Sequence, residues 1–249
     1  MSGYDPARYG EAVGDYDALY PPSGTSTAAA IDLLVELASG HESRSILEFG
    51  IGTGRLALGV HRRGVRVAGI DGSSRMVAQL RSKPDGDAIE VLIGDYRDAR
   101  APGSFGVVLL AINGIFDPRG RSAQLAIFRN AVRHLVPGGY FVVESWVMND
   151  EQRNGDWSVV PRFVSDDHVE LQLAKYDIAT NQIERTLVHL RSGVMDFVSV
   201  TDTYASPGEL DVMAEVTGLD RLARYAGWAR TEFTARSSSH VTIYQLLRD

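Results

Sequence analysis

Cysteine does not occur among the 249 residues of the chain. Its absence excludes disulfide bonds, thiolate nucleophiles and metal sites with cysteine ligands. Long apolar runs are also missing, and because a membrane helix needs about 20 predominantly apolar residues, no transmembrane segment is expected. The first residues, Met1 to Pro6, have neither a basic start nor an apolar core, so the sequence predicts no signal peptide. These absences favour a cytoplasmic protein without membrane contact.

Basic residues are in the minority, with 25 lysines and arginines against 32 aspartates and glutamates. The net charge of −7 argues against nucleic-acid binding, because neutralising phosphates requires clustered basic side chains. The six histidines show no His-x-x-x-His spacing, and no carboxylate cluster with ligand spacing accompanies them. We therefore expect no nucleic-acid partner and no metal site.

Over the first 147 residues, short apolar runs alternate with segments of helical periodicity. Strands are predicted near residues 45–49, 65–70, 89–93, 106–111 and 140–145, and helices near 27–38, 55–63, 74–82 and 121–135. Alternation at this spacing favours a parallel sheet with helices on both faces.

The pattern changes after Val147. Period-two alternation from Val169 to Leu173 and extended stretches at 185–190 and 197–200 predict an antiparallel patch of about three strands. Further along, Ser206-Pro207 begins a helix, because proline suits a first helical turn.

Two final strands are predicted at residues 219–225 and 240–246, where they would complete the core sheet. We therefore expect a core formed by residues 1–147 and 205–249, with residues 148–204 inserted as an antiparallel substrate cap.

A tight glycine loop, Glu48 to Gly54, follows the first predicted strand. Its alternating glycines, Gly50, Gly52 and Gly54, let the backbone turn sharply and leave no side chains where a ligand approaches. Asp71 follows the second predicted strand. A carboxylate at this point of a doubly wound sheet can accept hydrogen bonds from ribose hydroxyls.

The loop departs from the dinucleotide-binding fingerprint. Gly54 comes one position early, and Arg55 stands where that fingerprint requires glycine. Glu48 would repel a pyrophosphate but suits an ammonium group, unless it is a structural acid bonded to backbone amides. A ligand with a ribose, a positive charge and no phosphate fits these residues, and S-adenosylmethionine has that chemistry.

At these positions the chain resembles the class I S-adenosylmethionine-dependent methyltransferases. The features that carry the resemblance, in chain order, are the loop Glu48 to Gly54, Asp71, Met76, Gly94-Asp95-Tyr96 and the turn Leu135 to Gly139. Within the family, the chain is most similar to small-molecule methyltransferases of bacterial natural-product pathways, including amino-sugar N-methyltransferases. The resemblance implies an α/β fold with a doubly wound, mainly parallel, seven-stranded Rossmann-like sheet and an antiparallel β insertion after the fifth strand.

The resemblance also implies roles for single residues. Met76 packs on the adenine, Asp95 reads the adenine amino group, and Tyr96 lies beside the ring, if it is not a packing residue. Asn113 holds the methionine end or caps a turn, and Tyr20 closes over the cofactor or fastens the N-terminal helix to the core. The predicted cofactor-binding residues are Tyr20, Glu48, Gly50, Gly52, Gly54, Asp71, Gly72, Met76, Asp95, Tyr96 and Asn113.

The acceptor is expected to lie against the insertion and the end of the fifth strand. The residues predicted to line its site are Tyr16, Trp146, His168, Tyr204 and Trp228. The alternative is that the aromatic residues only fill the joint between insertion and core. His168 and His189 lie in the inserted patch, which makes them the candidates for a catalytic base.

Methyl transfer from a sulfonium is an in-line displacement, for which the protein mainly aligns the reactants and excludes water. An amine needs only to lose a proton, whereas a hydroxyl usually needs a base or a metal. The sequence therefore favours N-methylation, or O-methylation of an acidic hydroxyl, of a small organic acceptor, with C-methylation as the alternative. A non-catalytic S-adenosylmethionine-binding protein and a dinucleotide oxidoreductase are the rival classes, and a homodimer is compatible with the sequence.

Overall fold

The structure is a computed structural model that describes residue 17 and residues 24–148, 156–191 and 193–247. Strands and helices alternate through its first half, as the sequence predicts. The helices are α1 (Thr25–Ser39), α2 (Ala57–Arg62), α3 (Ser74–Arg81), α4 (Arg121–His134) and α5 (Pro207–Glu215). The strands are β1 (Ser45–Phe49), β2 (Arg66–Asp71), β3 (Glu90–Ile93), β4 (Phe105–Leu110), β5 (Leu135–Trp146), β6 (Ser158–Val164), β7 (His168–Asp177), β8 (Gln182–Arg191), β9 (Val194–Thr203), β10 (Leu219–Tyr225) and β11 (Ser239–Leu246).

The core is a seven-stranded sheet in the order β10-β11-β5-β4-β1-β2-β3. The pairs β1–β2, β2–β3, β1–β4 and β4–β5 are parallel, and β11 runs antiparallel to both β5 and β10. The predicted mainly parallel seven-stranded sheet is confirmed. Strands β1 and β4 are buried along their whole length, as expected for strands covered on both faces.

The chain reverses its direction of sheet growth at β1. From β1 it proceeds outward through β2 and β3, and it then returns to add β4 on the other side of β1. In open α/β sheets, the crevice at such a switch point, beyond the carboxyl ends of the strands, is where ligands bind. The glycine loop follows β1 directly, so it lies at this crevice.

Strand β5 is longer than predicted. It begins at Leu135, directly after α4, and includes Pro137, Gly138 and Gly139. The ladder with β4 shifts register over this segment, between Phe105 and Val107, and regular pairing resumes at Tyr140. The strand predicted from the sequence, near residues 140–145, begins only after this irregular segment.

The insertion forms a separate antiparallel sheet in the order β6-β7-β8-β9. The predicted antiparallel insertion after the fifth strand is confirmed, with four strands instead of about three. The strand that the sequence did not predict is β6, which lies at an edge and contains Pro161 next to a register shift. Proline is confined to such positions because it cannot donate to the ladder, and here it obscured the strand pattern.

One end of the inserted sheet packs on the core. Tyr176 of β7, Ile183 of β8 and Tyr204, just after β9, are buried in a cluster with Phe116 and Met148. From this anchored end, β7 and β8 pair without interruption as far as His168 and Arg191. The sheet is therefore fixed at one end and extends outward from the core.

Helix α5 returns the chain from the insertion to the core sheet. Its N-cap, Ser206, forms a capping box with Glu209, and Pro207 occupies the first turn, as the sequence predicted for this helix start. No described helix is both long and apolar enough to cross a membrane.

Candidate functional site

A cleft of about 1290 Å³, including its open mouth, lies at the carboxyl ends of β1 to β4. It is lined mainly by residues of the loops that follow these strands, together with residues that the insertion contributes. The lining residues are Glu48, Phe49, Gly50, Ile51, Gly52, Arg55, Asp71, Gly72, Ser73, Met76, Asp95, Tyr96, Leu110, Ala111, Ile112, Asn113, Gly114, Phe116, Asp117, Pro118, Arg185 and Asp202. Nine of the predicted cofactor-binding residues are in this set: Glu48, Gly50, Gly52, Asp71, Gly72, Met76, Asp95, Tyr96 and Asn113.

The glycine loop takes the left-handed backbone conformation that the sequence led us to expect. Gly50, Gly52 and Gly54 have φ angles of 69°, 55° and 78°, a region that glycine enters without steric cost. The Gly50 amide donates to the Ile70 carbonyl at 2.8 Å, which ties the loop to the end of β2.

Gly54 differs from the other two because it does not line the cleft. A Cβ atom at this position would lie 2.3 Å from Leu80 of α3. The third glycine thus lets the loop pack closely against a helix, and the structure gives it no place at the ligand surface.

Asp71 connects the glycine loop to the start of α3. Its two carboxylate oxygens accept hydrogen bonds from the Gly52 and Ser73 amides, each at 2.7 Å. Burial raises the pKa of Asp71, while the two amide bonds lower it. Each carboxylate oxygen has two acceptor positions and uses one of them here, so the side chain can accept further bonds from a ligand in the cleft.

Glu48 is buried at the end of β1, with 6% of its surface exposed. Burial raises its pKa to about 8; the positive charge of Arg55 opposes this shift and the charge of Asp71 adds to it. Its carboxyl also bonds the Ala57 amide, so the structural role considered for this acid is present beside its place in the cleft lining. A cation bound in the cleft would favour the ionised form.

Asp95 follows β3, and its carboxylate is held by an arginine that the sequence did not single out. Arg119 donates to Asp95 at 2.5 Å and through its Nε to Asp117 at 2.8 Å. Burial raises the pKa of Asp95, but the bonds from Arg119 and the Arg97 amide outweigh burial and hold the pKa below its usual value. Asp95 is therefore ionised at neutral pH and fixed in orientation.

Tyr96 and Met76, which the sequence predicts beside the adenine, line the same part of the cleft. The ring of Tyr96 stacks on Phe49, with centroids 5.9 Å apart, and its hydroxyl donates to the Gly114 carbonyl at 3.0 Å. The Met76 methyl would lie 3.4 Å from a Cβ at Gly52. A flat heterocycle has both an aromatic and a thioether neighbour here.

The turn after β4 has an unusual backbone. Ile112 and Asn113 both have positive φ angles, of 44° and 60°, and a β-branched residue rarely enters this region. The turn is held to β5, because the Asn113 side chain accepts from the Trp146 amide at 2.8 Å and the Ile112 amide donates to Glu144 at 3.0 Å. Such conformations persist where the surroundings enforce them, often at ligand sites.

The insertion closes the opposite side of the cleft with an ion pair. Arg185 of β8 donates through its Nε to Asp202 of β9 at 2.6 Å, and both residues line the cleft. Burial raises the pKa of Asp202 above its usual value, the positive charge of Arg185 lowers it, and the charge of Asp117 adds to the rise. The insertion thus supplies charged groups to the same cavity that the glycine loop lines.

Comparison with known proteins identifies the class of the site. Residues 46–139 match the family described as a methyltransferase domain. The cypemycin N-terminal methyltransferase of a Streptomyces species is 26% identical over 97% of this chain and 98% of its own length. The CcbJ methyltransferase from Streptomyces caelestis superposes with a TM-score of 0.84 at 29% identity, covering 94% of this chain and 99% of that one.

The chain is an S-adenosylmethionine-dependent methyltransferase. The predicted family, enzyme class and cofactor are confirmed. The fold is shared more widely: CalS10, an amino pentose methyltransferase from Micromonospora echinaspora whose structure contains S-adenosylmethionine, superposes with a TM-score of 0.68 at 18% identity, covering 94% of this chain and 97% of that chain.

Four residues predicted for the acceptor site or for catalysis do not line the cleft: Trp146, Tyr204, His168 and His189. Trp146 and Tyr204 stack on each other at 5.3 Å behind Phe116, which itself lines the cleft. This arrangement matches the alternative in which aromatic residues fill the joint. His168 and His189 also lie outside the lining, and His189 is about 13 Å along β8 from Arg185 at roughly 3.2–3.4 Å per residue.

Trp228 is buried on the other face of the core sheet. It has 4% of its surface exposed and belongs to the cluster that includes Ile51 and Val142. Its indole nitrogen donates to Glu144 at 2.6 Å. Glu144 also accepts from the Ile112 amide, so it connects Trp228 to the turn after β4. Trp228 itself does not line the cleft.

Tyr16 and Tyr20 lie outside the described residues. Asp17, between them in the sequence, is described, and its carboxylate accepts from Thr53 at 2.6 Å and pairs with Lys83 at 2.5 Å. Lys83 also donates to the Thr53 carbonyl. The N-terminal segment is therefore fastened to the glycine loop at this residue.

The sequence analysis missed four charged residues at the cleft: Arg119, which holds Asp95, and the lining residues Asp117, Arg185 and Asp202. Arg185 and Asp202 come together only through the pairing of β8 with β9, in which Arg185 opposes Val200, the residue two positions before Asp202. Their opposite charges on neighbouring strands are the signal that could have indicated the pair.

Proposed function

We propose that the protein methylates an amine nitrogen of a small organic acceptor, with S-adenosylmethionine bound in the cleft at the ends of β1 to β4. Asp71 accepts from the ribose hydroxyls, and Glu48 faces the ammonium of the methionine portion. Met76 and Tyr96 contact the adenine, with Asp95 at its amino group. Gly50, Gly52 and Gly72 give close backbone approach, and Asn113 holds the methionine end.

The described residues fit this cofactor in charge and shape. Asp71 has unused acceptor positions beside the positive-φ turns at Gly50 and Gly52, and no phosphate-binding set of basic residues lies in the described cleft lining. When bound, S-adenosylmethionine supplies a methyl group on a sulfonium. A bound cation favours the ionised form of the buried acid Glu48, which then suits the positive charge of this ligand.

The observation that carries N-methylation is the pair of carboxylates on the acceptor side, each of which is held by an arginine: Asp117 by Arg119 and Asp202 by Arg185. Asp117 and Asp202 are both in the lining, and the described lining residues include no histidine, cysteine or lysine. An amine reaches the enzyme as an ammonium ion, which a carboxylate attracts. The raised pKa of Asp202, caused chiefly by burial, makes this acid a better proton acceptor than an exposed aspartate.

The proposed reaction balances with these groups alone. The carboxylate of Asp202 removes one proton from the acceptor ammonium, which frees the nitrogen lone pair. The nitrogen then forms a bond to the methyl carbon while the carbon–sulfur bond breaks, and the sulfur leaves as a neutral thioether. Arg185 and Arg119 hold Asp202 and Asp95 in place, and the inserted sheet excludes water.

Two relatives guide the choice of acceptor. The cypemycin enzyme is named an N-terminal methyltransferase. A second relative, from Saccharopolyspora spinosa, is named as an N,N-dimethyltransferase of a dTDP-linked 4-amino-tetradeoxyglucose and is 29% identical over 56% of this chain and 56% of its own length. The second name specifies nitrogen and the first specifies an N-terminal position, so we propose a primary or secondary amine of a natural-product intermediate as the acceptor.

The test is methyl transfer to a panel of acceptors with deuterium-labelled cofactor, analysed by mass spectrometry. The panel contains amino sugars, short peptides with free N-termini, phenols and carbon acids. We expect the label on nitrogen and none in an Asp71→Ala control. Label found only on oxygen or carbon would contradict the proposal, and would favour the O- or C-methyltransferase alternatives.

Some expectations drawn from the sequence remain predictions. They are the division into a core of residues 1–147 and 205–249 with a cap of residues 148–204, closure by Tyr20, acceptor contact by Tyr16, cytoplasmic location, the lack of a nucleic-acid partner and a homodimeric state. The hydrogen bond from Thr53 to Asp17 supports closure by Tyr20, because it holds Asp17, three positions before Tyr20 in the sequence, at the glycine loop.

A further inference from the structure

Three potential metal ligands meet on the inserted sheet, outside the cleft. His168 and Glu170 are two residues apart on β7, so their side chains project from the same face. His189 lies directly opposite Glu170 on β8. One ligand atom from each of the three side chains lies within 4.8 Å of the others.

The polar atoms of this triad have no hydrogen-bond partners among the described residues. These atoms are Nε2 of His168, Oε2 of Glu170 and Nδ1 of His189, and all three are buried. The whole Glu170 residue has only 4% of its surface exposed. Burial of polar atoms without partners is unfavourable, and a single bound ion would satisfy all three atoms at once.

An ion pair between His189 and Glu170 does not meet this need. Nδ1 of His189 lies 3.5 Å from Oε2 of Glu170, and a proton shared between them would still leave Nε2 of His168 without a partner. The His168 ring stacks beside His189 at 6.1 Å. A second imidazole beside a histidine–carboxylate pair suits a metal ion, which takes a lone pair from each ligand.

We propose that His168, Glu170 and His189 bind a divalent transition metal of the zinc class. Two imidazoles and one carboxylate are a ligand set that zinc accepts, with water in the fourth position. Ligand atoms at about 2.0–2.1 Å from a tetrahedral ion lie about 3.4 Å from one another. The His189–Glu170 spacing already matches this value, and small side-chain rotations bring His168 into place.

The surroundings favour a structural site. Phe163 of β6 packs against the His168 ring at 5.1 Å and shields it, which limits the exchange of a bound ion. Arg185, at the cleft, is about 13 Å away along β8, too far for the ion to contact an acceptor in the cleft. The ion would tie β7 to β8 near the end of the sheet that is remote from the core.

Sequence spacing did not predict this site, because the ligands come from two strands. His168 and Glu170 are separated by one residue, and the third ligand depends on the hairpin register that pairs Glu170 with His189. A shift of one residue would move His189 to the opposite face.

The test is zinc binding by the untagged, chelator-treated full-length protein, measured by competition with a chromophoric zinc chelator. We expect one equivalent of Zn²⁺ per chain. His189→Ala and Glu170→Gln should each weaken binding by at least about tenfold, since even changes outside the first ligand shell cost 10–100-fold. His61→Ala, which removes a histidine of α2, is the matched control and should bind as the wild type does.

A second measurement guards against variants that misfold. Hydrogen exchange at the amides of β7 and β8 should slow when zinc is added to the wild type, with no change in Glu170→Gln. Circular dichroism verifies the fold of each variant. Absence of zinc uptake by the wild type, or uptake that survives both His189→Ala and Glu170→Gln, would overturn the proposal. Neither readout depends on methyl transfer.

Discussion

The core sheet and the inserted sheet both gather polar side chains, but they position them in different ways. In the core, Asp71 and Glu48 stand at strand ends, where backbone amides of the adjoining loops fix them. In the insertion, Arg185, Asp202 and Glu170 project from within strands, and only strand register brings each to its partner. In the core, the local sequence therefore determines where the polar side chains lie. In the insertion, the register of strand pairing determines it.

This difference suggests a division of labour in the methyltransferase. The strand-end groups form the part of the cleft that we assign to the methyl donor. The insertion contributes the Arg185–Asp202 ion pair to the part of the cleft that we assign to the acceptor. Substitutions in the two regions should then affect different steps, and the following predictions test that separation.

The largest effect is expected for Asp71→Ala. The variant removes the charged acceptor of the ribose hydroxyls and frees the Gly52 and Ser73 amides. Each charged hydrogen bond is worth about 1.5–3 kcal/mol, so the dissociation constant for S-adenosylhomocysteine should rise about a hundredfold or more. Isothermal titration calorimetry measures it.

Asp32→Ala, which removes an exposed acid of α1, is the matched control for Asp71→Ala and should bind as the wild type does. An unchanged dissociation constant in a folded Asp71→Ala protein would show that the carboxylate only shapes the loop.

Arg185→Gln should reduce turnover while leaving donor binding intact. The change removes the cation that holds the Asp202 carboxylate, so the base is misplaced, and this loss of position outweighs the gain in basicity that comes with a higher pKa. We expect acceptor kcat/KM to fall at least about tenfold, because a positioned base contributes more than this. Arg162→Gln, on the exposed edge strand β6, is the control. Equal losses in S-adenosylhomocysteine affinity and turnover would contradict the proposal that the core sheet serves the donor and the inserted sheet serves the acceptor.

Glu48→Gln should alter the pH dependence of stability. Burial raises the folded-state pKa of Glu48 from 4.5 to about 8, so folding favours its protonated form. The stability that this group contributes is complete below its unfolded pKa and is lost as the pH rises toward 8. The ligand-free wild type should therefore lose stability relative to Glu48→Gln over this window, as urea unfolding at several pH values can measure.

A parallel loss of stability in Glu48→Gln and in the wild type would rule out Glu48 as the titrating group. Saturating S-adenosylhomocysteine supplies a second check, since its ammonium should favour the ionised acid and reduce the pH-dependent difference.

The smallest effect on catalysis is expected for Trp228→Phe. The substitution keeps an aromatic ring but leaves Glu144 without the indole donor, which should cost about 1–3 kcal/mol of unfolding free energy. Acceptor KM should not change, because the side chain lies behind the sheet. Trp157→Phe, at an exposed position, is the control. A large rise in acceptor KM would show that Trp228 contributes to the acceptor site, as the sequence predicted.

Local signals were enough to predict which strand-end residues meet in the cleft that we assign to the donor. The glycine loop, Asp71 and Asp95 each follow a predicted strand, and parallel strands bring their carboxyl ends to one edge. Positive φ is required at Gly50 and Gly52, so the glycines themselves indicated the turn. Gly54 differs, because it lies outside the cleft lining and packs closely on Leu80, a contact that sequence spacing does not reveal.

The acceptor side could not be predicted in this way. Arg185 and Asp202 are far from the glycine loop in sequence, and they reach the cleft only because Tyr176, Ile183 and Tyr204 anchor the inserted sheet on the core. Trp228 lies in a loop whose direction depends on a hydrogen bond to Glu144 across the sheet. Composition identifies such residues as candidates, but tertiary packing decides which face they occupy.

The most direct test of the division between donor and acceptor regions is the Asp202→Asn variant, assayed with an amine acceptor across the pH range. The account predicts unchanged S-adenosylhomocysteine affinity and a turnover reduced about a hundredfold at neutral pH, since a positioned base contributes roughly this factor. The deficit should shrink as the pH rises and the acceptor loses its proton to solvent. Full turnover at neutral pH, or a loss of S-adenosylhomocysteine binding that matches the loss of turnover, would contradict it.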